Sequence, residues 1–264
     1  MENKISFMLL YKETPNFEEV ALKSRIERLF GDSLTINMFF TNPESTMVNA
    51  AFGGDQLMIA GLYVPYPTHV LDQVLPVCHF SEADKKTFYE NKTHLLFSLS
   101  STETLPHLFF DRLYQLVNCF VAEDDNAIGI INESAMTANM LKTILEIKNE
   151  REALLAEKSM PFWSWLAFTG GFVKYILDDS HIWFVTKGNH QFGLPELAYL
   201  GTYAEGNDTL MLFKSLFSYM YGYGAILKPG HTAEMGDDNL EFTELKDYKE
   251  VFEGKYGTLV VNKV

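Results

Sequence analysis

The stretch HIWFVTKGNHQFGLPELAYLGTY, residues 181–203, decides the fold class of this chain. Two runs rich in β-branched and aromatic residues, HIWFVTK and ELAYLGTY, lie on either side of a polar centre. Gly188 and Asn189 can take the positive φ of a turn, and Gly193 with Pro195 can shape the start of the second strand. The stretch therefore predicts a hairpin, and with it an antiparallel sheet.

Strands and helices alternate on both sides of this hairpin. Toward the N-terminus, the patterning predicts strands at 5–11, 34–40, 55–64, 93–100 and 127–132, and helices from an Asn16 N-cap to Gly31 and at 81–91, 105–120 and 134–148. Toward the C-terminus, it predicts an aromatic strand at 162–177 that is interrupted at Gly170 and Gly171 by a bulge or a hairpin turn. A helix at 208–222 and strands at 224–235 and 257–264 follow. The order predicts an α+β fold, in which antiparallel sheets have helices packed on one face and the two halves are loosely ferredoxin-like.

The most charged segment of the chain, NEREALLAEK at 149–158, marks the predicted boundary between the halves. It is interpreted as a charged helix end or linker between an N-terminal α+β half at 1–148 and a C-terminal α+β half at 159–264. A length of 264 residues suits one large domain or two small ones. We expect the halves to form one compact unit.

Charge restricts the classes of partner. The chain has 21 Lys and Arg against 35 Asp and Glu, so its net charge is 21 − 35 = −14. A field of this sign repels phosphate backbones and anionic lipid surfaces, so neither nucleic acid nor membrane is predicted as a partner. It attracts basic proteins, although an acidic surface can also serve solubility alone. The N-terminal sequence lacks a signal-peptide pattern, and we expect a cytoplasmic location.

No motif of a common hydrolase, kinase, nucleotide-binding protein or zinc protein occurs in the sequence, so no metal or cofactor is predicted. Three polar places remain as tentative binding sites. The central hairpin carries Lys187, His190 and Glu196, which have the chemistry of a cation, a base and a carboxylate. His94 begins a strand, and His231 follows a turn at Gly230. Each place also has a purely structural interpretation, as a turn or as a hydrogen-bonded strand residue.

At these places the sequence resembles a bacterial family, domain of unknown function 4261. The resemblance rests on motifs at Thr93–Leu99 and Ala127–Asn132, on Thr186 with Gly188, Phe192, Gly193 and Glu196, and on Gly224, Leu227, Gly230 and Thr232. It implies no established activity and no catalytic residues. Members of the family resemble small acidic proteins found near bacterial toxin genes, so the resemblance implies a role in immunity or protein interaction.

Two hypotheses of function follow. The first is a non-enzymatic acidic protein-binding module that serves as an immunity protein or inhibitor of a basic bacterial toxin. The second is a small-ligand-binding protein or unrecognised enzyme, with a site that joins the central hairpin, His94 and His231 at the junction of the halves. The oligomeric state is not predicted.

Overall fold

Two sheets, both largely antiparallel, and the helices packed on them make this an α+β protein, so the predicted fold class is confirmed. The structure, a computed structural model, describes residues 3–31, 34–78, 80–121, 126–142, 146, 171–236 and 238–264. The contacts of the chain divide it into two compact units. Unit 1 contains the described residues within 3–76, 80–133 and 138–146. Unit 2 contains the described residues within 77–78, 134–137 and 171–264.

The strands of unit 1 and the short strand that follows them are β1 Asn3–Tyr11, β2 Thr35–Thr41, β3 Ser45–Phe52, β4 Asp55–Leu62, β5 Thr93–Ser101, β6 Ala127–Asn132 and β7 Thr137–Met140. Its helices are α1 Glu19–Phe30, α2 Thr68–Val74, α3 Glu82–Tyr89 and α4 Pro106–Val121. The seven strands form one sheet in the order β2-β3-β4-β5-β1-β6-β7. Alternate residues of these strands point to opposite faces, so the two faces of the sheet carry different sets of side chains.

One face of this sheet packs against helices α1 and α4. Phe30 at the end of α1 contacts Phe52 of β3 with ring centroids 4.8 Å apart. Arg112 of α4 forms an ion pair with the buried carboxylate of Asp55, with Nη1 2.8 Å from Oδ2, and lies over the Phe30 ring. Ser101 donates a hydrogen bond to the other oxygen, Oδ1, of Asp55. The ion pair thus ties the β3–β4 turn and β5 to the helices.

Unit 2 is built on the six-stranded sheet β11-β12-β13-β10-β9-β8. Its strands are β8 Gly171–Ile176, β9 Ile182–Lys187, β10 Glu196–Gly201, β11 Thr232–Met235, β12 Asp238–Glu244 and β13 Thr258–Lys263. Its helices are α5 Gly206–Phe217, which continues as a π-helical turn at Ser218–Gly222, and α6 Lys249–Phe252. The strands β9 and β10 form the predicted antiparallel hairpin, whereas β10 and β13 pair in parallel.

Both faces of the unit 2 sheet are buried. Phe184 and Leu197 share one apolar cluster with Phe213 of α5. The neighbouring residues in the two strands, Val185 and Ala198, belong to a second cluster with α6 and point to the opposite face. The nearly continuous hydrophobicity of β9 and β10 follows from this burial on both sides.

Several predicted elements differ from the structure. The helix predicted at 134–148 is wrong in its first part, because Met136 takes a positive φ of 53° and Thr137–Met140 forms β7 beside β6. Asn16 does not cap α1, which begins at Glu19 after an extended Glu18. The predicted strand at 224–235 is shortened to β11, because residues 224–231 carry no regular structure. The predicted boundary at 149–158 lies outside the described residues.

Candidate functional site

The turn between β9 and β10 encloses the carboxylate of Glu196, whose exposed fraction is 1%. The Thr186 hydroxyl donates to Glu196 Oε2 at 2.8 Å, and the Gly188 N–H donates to Oε1 at 2.9 Å. Longer hydrogen bonds, of 3.3 and 3.4 Å, come from the N–H groups of Asn189 and His190. A carboxylate this deeply buried is stable only when such donors surround it. We refer to these five residues as the Glu196 cluster.

The local sequence explains why the turn closes around this carboxylate. Gly188 has a φ of 112°, which lets its N–H and those after it point into the turn. Asn189–Phe192 then forms a short 3₁₀ turn that ends at Gly193, where φ is 76°. The turn is therefore longer than a two-residue hairpin loop. Gly188 has the positive φ predicted for it, whereas Asn189, for which a positive φ was also predicted, does not.

Other side chains hold the same turn from outside. Phe192 is buried and packs against Phe217 of α5, with ring centroids 5.0 Å apart. This contact anchors the turn on α5. The Asn189 side chain donates to the Pro195 carbonyl at 3.0 Å. Thr186 accepts from the N–H of Leu197 at 2.8 Å, and its hydroxyl thus bridges the two strands. These contacts give Thr186 and the Asn189 amide nitrogen a structural role in the turn.

A second turn, before β13, completes the cluster. The Glu196 N–H donates to the Gly257 carbonyl at 3.0 Å. A Cβ atom on Gly254 would lie 2.6 Å from Glu196 Cγ, so only glycine leaves room for the buried glutamate. The sequence reasoning missed Gly254, Gly257 and the hydroxyl bridge of Thr186. The threonine, glycine and glutamate spacing within the 186–196 motif was the signal that could have identified the bridge.

The side chains of Lys187 and His190 have different contacts near Glu196. Burial lowers the pKa of Lys187, while the nearby Glu196 charge opposes this shift. The Lys187 amine donates to the carbonyl of Val251 in α6 at 2.7 Å, so it joins the turn to that helix. His190 Nδ1 lies 3.1 Å from Glu196 Oε1, and its side chain is about one-third exposed.

His94 lies in unit 1 rather than in this cluster. Its Nδ1 is 2.9 Å from the Val64 carbonyl, and its ring packs edge-on against Tyr66 at 5.2 Å. The Tyr66 hydroxyl donates to Glu133, and burial followed by this hydrogen bond raises the pKa of Tyr66 well above its usual range. His94 is thus a hydrogen-bonded strand residue beside a tyrosine–glutamate pair.

His231 lies in unit 2 but away from the Glu196 cluster. It is exposed and precedes the edge strand β11, whereas Glu196 begins β10. Three strand spacings separate β11 from β10, which amounts to about 14 Å across the sheet. Unit 2 therefore does not bring these two side chains together, and this separation counts against one site that joins the central hairpin with His231.

The outer face of the unit 1 sheet holds a different feature, an apolar groove of about 620 Å³. Its lining includes Met8, Met38, Phe40, Met47, Leu62, His94 and Leu96, and we call it the β2 groove. Volumes of this size are typical of binding sites. The sequence did not indicate the groove, because its residues come from five strands whose order along the chain differs from their order in the sheet.

Two other findings concern ligands and membranes. Within the described residues, no group of three or more His, Cys, Asp or Glu side chains is arranged to hold a metal ion. None of the helices in the described ranges is long and apolar enough to cross a bilayer.

The comparison with protein families assigns the C-terminal part of the chain. Residues 185–261 match a family described as Domain of unknown function (DUF4261), so this part of the chain is a domain of unknown function 4261. The match includes Thr186, Gly188 and Glu196 and thus the whole β9–β10 turn, but the motifs at 93–99 and 127–132 lie outside it. No curated protein and no solved structure matches the chain.

Proposed function

We propose that this protein is a non-enzymatic acidic protein-binding module of the cytoplasm that binds a basic protein partner. A bacterial toxin with a basic surface is the partner class that best fits, and the protein would then act as its immunity protein or inhibitor. The observation that carries the proposal is the acidic surface, because it provides charge for a partner rather than for internal ion pairs.

Many exposed carboxylates have no cation within ion-pair distance in the described part of the chain. They include Glu18, Glu19, Glu44, Asp72, Glu90, Asp179, Asp208, Glu234, Glu244, Asp247, Glu250 and Glu253. Unpaired surface charges of one sign raise the rate of association with an oppositely charged partner, and this effect weakens as salt is added. The net charge of −14 also attracts a positively charged partner, and it acts over a longer range than single side chains do.

The Glu196 cluster supports a non-enzymatic role. Each of the three residues that made the central hairpin a candidate for acid–base chemistry has a hydrogen-bond partner within unit 2. Glu196 is fully enclosed by donors of its own turn, and Lys187 is held by a backbone carbonyl. A catalytic carboxylate needs access to a substrate proton, which this arrangement does not offer.

The test is affinity capture of partners from the source organism at low salt, followed by a salt gradient and identification by mass spectrometry. We expect a stoichiometric basic protein that is released as the salt concentration rises. The segment 244–255 allows a matched comparison, because it carries both signs of charge on exposed side chains. One variant neutralises its four acids (Glu244→Gln, Asp247→Asn, Glu250→Gln, Glu253→Gln), and the control neutralises its three lysines (Lys246→Gln, Lys249→Gln, Lys255→Gln).

The acid-neutralised variant should bind the partner more weakly and with a smaller salt dependence, because each lost charge reduces the attraction. The lysine-neutralised control should bind at least as well as the natural chain. Absence of a basic partner, or a complex whose affinity does not change with salt, would overturn the proposal.

A further inference from the structure

Among the described residues, the strand β2 has one backbone edge without a neighbouring strand. It pairs with β3 on one side, and no described strand lies on its other side. The Asn42 N–H donates to the Ser45 carbonyl, so the alternation of an antiparallel ladder turns the N–H and C=O groups of Phe39 and Thr41 away from β3. The strand has the sequence TINMFFT, which contains none of the lysines or prolines that usually protect an edge.

The same strand forms one wall of the β2 groove. A register shift between Ile36 and Met38 places Met38 and Phe40 on the groove face, opposite to the face that packs on helices. Met38 is 46% exposed and Phe40 is 50% exposed. An additional strand beside β2 would direct every second side chain toward this groove while its backbone bonded to the edge.

The size of the apolar surface indicates what can bind there. Met38, Phe40, Met47 and Leu62 are 46, 50, 41 and 61% exposed, which corresponds to roughly 400 Å² at ~200 Å² for a large side chain. A second copy on this surface would bury roughly 800 Å² from both chains, half of a standard stable interface. Two copies would also repel each other, because each has a net charge of −14. A short segment of another protein fits this area better.

Charge indicates the chemistry of that segment. The exposed carboxylate of Glu44 follows β2 in the turn to β3 and has no cation partner among the described residues. Glu27 lies at the opposite end, but its side chain accepts from the N–H of Leu34 and pairs with Lys23 at 3.9 Å, so Glu44 supplies the unpaired carboxylate of this edge. An apolar edge with an unpaired carboxylate at one end, on a chain of net charge −14, is complementary to an extended segment whose alternating apolar residues are flanked by lysine or arginine.

We propose that the free edge of β2 and the β2 groove together bind an extended, basic-flanked segment of the partner protein, which joins the sheet as an additional strand. This inference rests on the proposed function and adds the place and the mode of binding. The backbone hydrogen bonds supply affinity, and the groove selects apolar side chains at alternate positions.

The test uses the full chain against a displayed library of random twelve-residue peptides. We expect enriched peptides with apolar residues at every second position and basic residues at an end. Phe40→Lys and Met38→Lys should each weaken the best peptide at least tenfold, while Val20→Lys, on the 81% exposed Val20 of α1, should leave its affinity within twofold. Circular dichroism verifies that all three variants are folded. N-methylation of alternate peptide bonds should abolish binding for one of the two sets only, because a joined strand uses only every second N–H.

Other results would overturn this inference. These are a library without enrichment, peptides that bind Phe40→Lys and Met38→Lys as well as the natural chain, or equal effects of both N-methylated sets. A micromolar dimer of the natural chain that Phe40→Lys dissociates would assign the edge to a second copy instead. Failure of the proposed function looks different: peptides would bind at β2, but no basic partner would be captured. A captured partner that still binds Phe40→Lys would refute this inference alone.

Discussion

Replacement of Glu196 by alanine tests whether the Glu196 cluster holds unit 2 together. The substitution removes the acceptor of the Thr186 hydroxyl and of the Gly188 N–H, which lie 2.8 and 2.9 Å from the carboxylate. Both donors are buried, so water cannot replace the lost oxygen without opening the turn. The two longer hydrogen bonds from Asn189 and His190 are lost as well.

The expected loss in the free energy of unfolding follows from the number of buried donors that lose their acceptor. Each buried donor left without an acceptor costs roughly 1–3 kcal/mol. Two short hydrogen bonds therefore predict a loss of about 3–5 kcal/mol in the free energy of unfolding for Glu196→Ala, after some relaxation of the turn. Glu196→Gln should lose less, about 2 kcal/mol, because its amide keeps one acceptor oxygen but turns an NH₂ group toward backbone donors.

Urea denaturation followed by circular dichroism measures the change, and hydrogen exchange of the amides at 188–190 shows whether it is local. The matched control is Glu244→Ala, an exposed glutamate in the same sheet, which should change stability by no more than ~0.5 kcal/mol. A loss below about 1 kcal/mol for Glu196→Ala, or unchanged exchange at 188–190, would show that the buried carboxylate does not hold the turn.

Three further predictions concern other contacts. Gly254→Ala should cost about 2–4 kcal/mol of unfolding free energy in urea, because its Cβ would lie 2.6 Å from Glu196 Cγ. Arg112→Met should cost about 3 kcal/mol by the same measurement, because it leaves the buried Asp55 carboxylate without its cation, and adding Asp55→Asn should recover part of the loss. Burial and a hydrogen bond to Glu205 raise the pKa of Tyr199 to about 12, so an ultraviolet titration should show one tyrosine ionising near there, which Tyr199→Phe removes. Because this pKa is raised on folding, the associated stability is complete below about pH 10 and decreases as the pH rises to about 12.

Matched variants separate these effects from nonspecific damage. Gly206→Ala places its Cβ no closer than 3.7 Å to any atom at the start of α5 and should be neutral or slightly stabilising. Lys23→Met removes a surface ion pair with Glu27 at 3.9 Å and should change stability by less than ~1 kcal/mol. A Gly254→Ala variant as stable as Gly206→Ala, or an Arg112→Met loss no larger than that of Lys23→Met, would contradict the packing and ion-pair arguments. An unchanged titration of Tyr199→Phe would contradict the assignment of the high pKa.

Local signals in the sequence were sufficient for much of the fold. Strong periodicity predicted the strands at 93–100 and 127–132, and Gly31 ends α1 in the left-handed conformation, as expected. Ser81 caps α3 by accepting from the N–H of Asp84. The strand β7 could not be predicted in the same way, because its conformation depends on a neighbour in the sheet that overrides helix propensity.

In the candidate site, too, local features were predictable from the sequence and contacts between distant segments were not. The glycines and the proline of the central hairpin predicted a turn, and the polar residues there were predicted as candidates for binding. What they do depends on Gly254 and Gly257, which approach Glu196 from a loop about 60 residues later in the sequence. The β2 groove likewise combines five strands. Such arrangements arise only from pairing between distant segments, which periodicity does not encode.

The parallel pair of β10 and β13 has a consequence for how this protein folds as it is made. The strands begin at Glu196 and Thr258, about 60 residues apart, and β13 lies between β10 and β12 in the sheet. A ribosome that adds ~5–20 residues per second needs several seconds to make the intervening chain. During that interval the β9–β10 hairpin has emerged, but Gly254 does not yet pack on Glu196 and the edge of β10 has no paired strand. We therefore expect unit 2 to fold late, and we expect a chaperone to bind the unpaired edge of β10 in this hairpin.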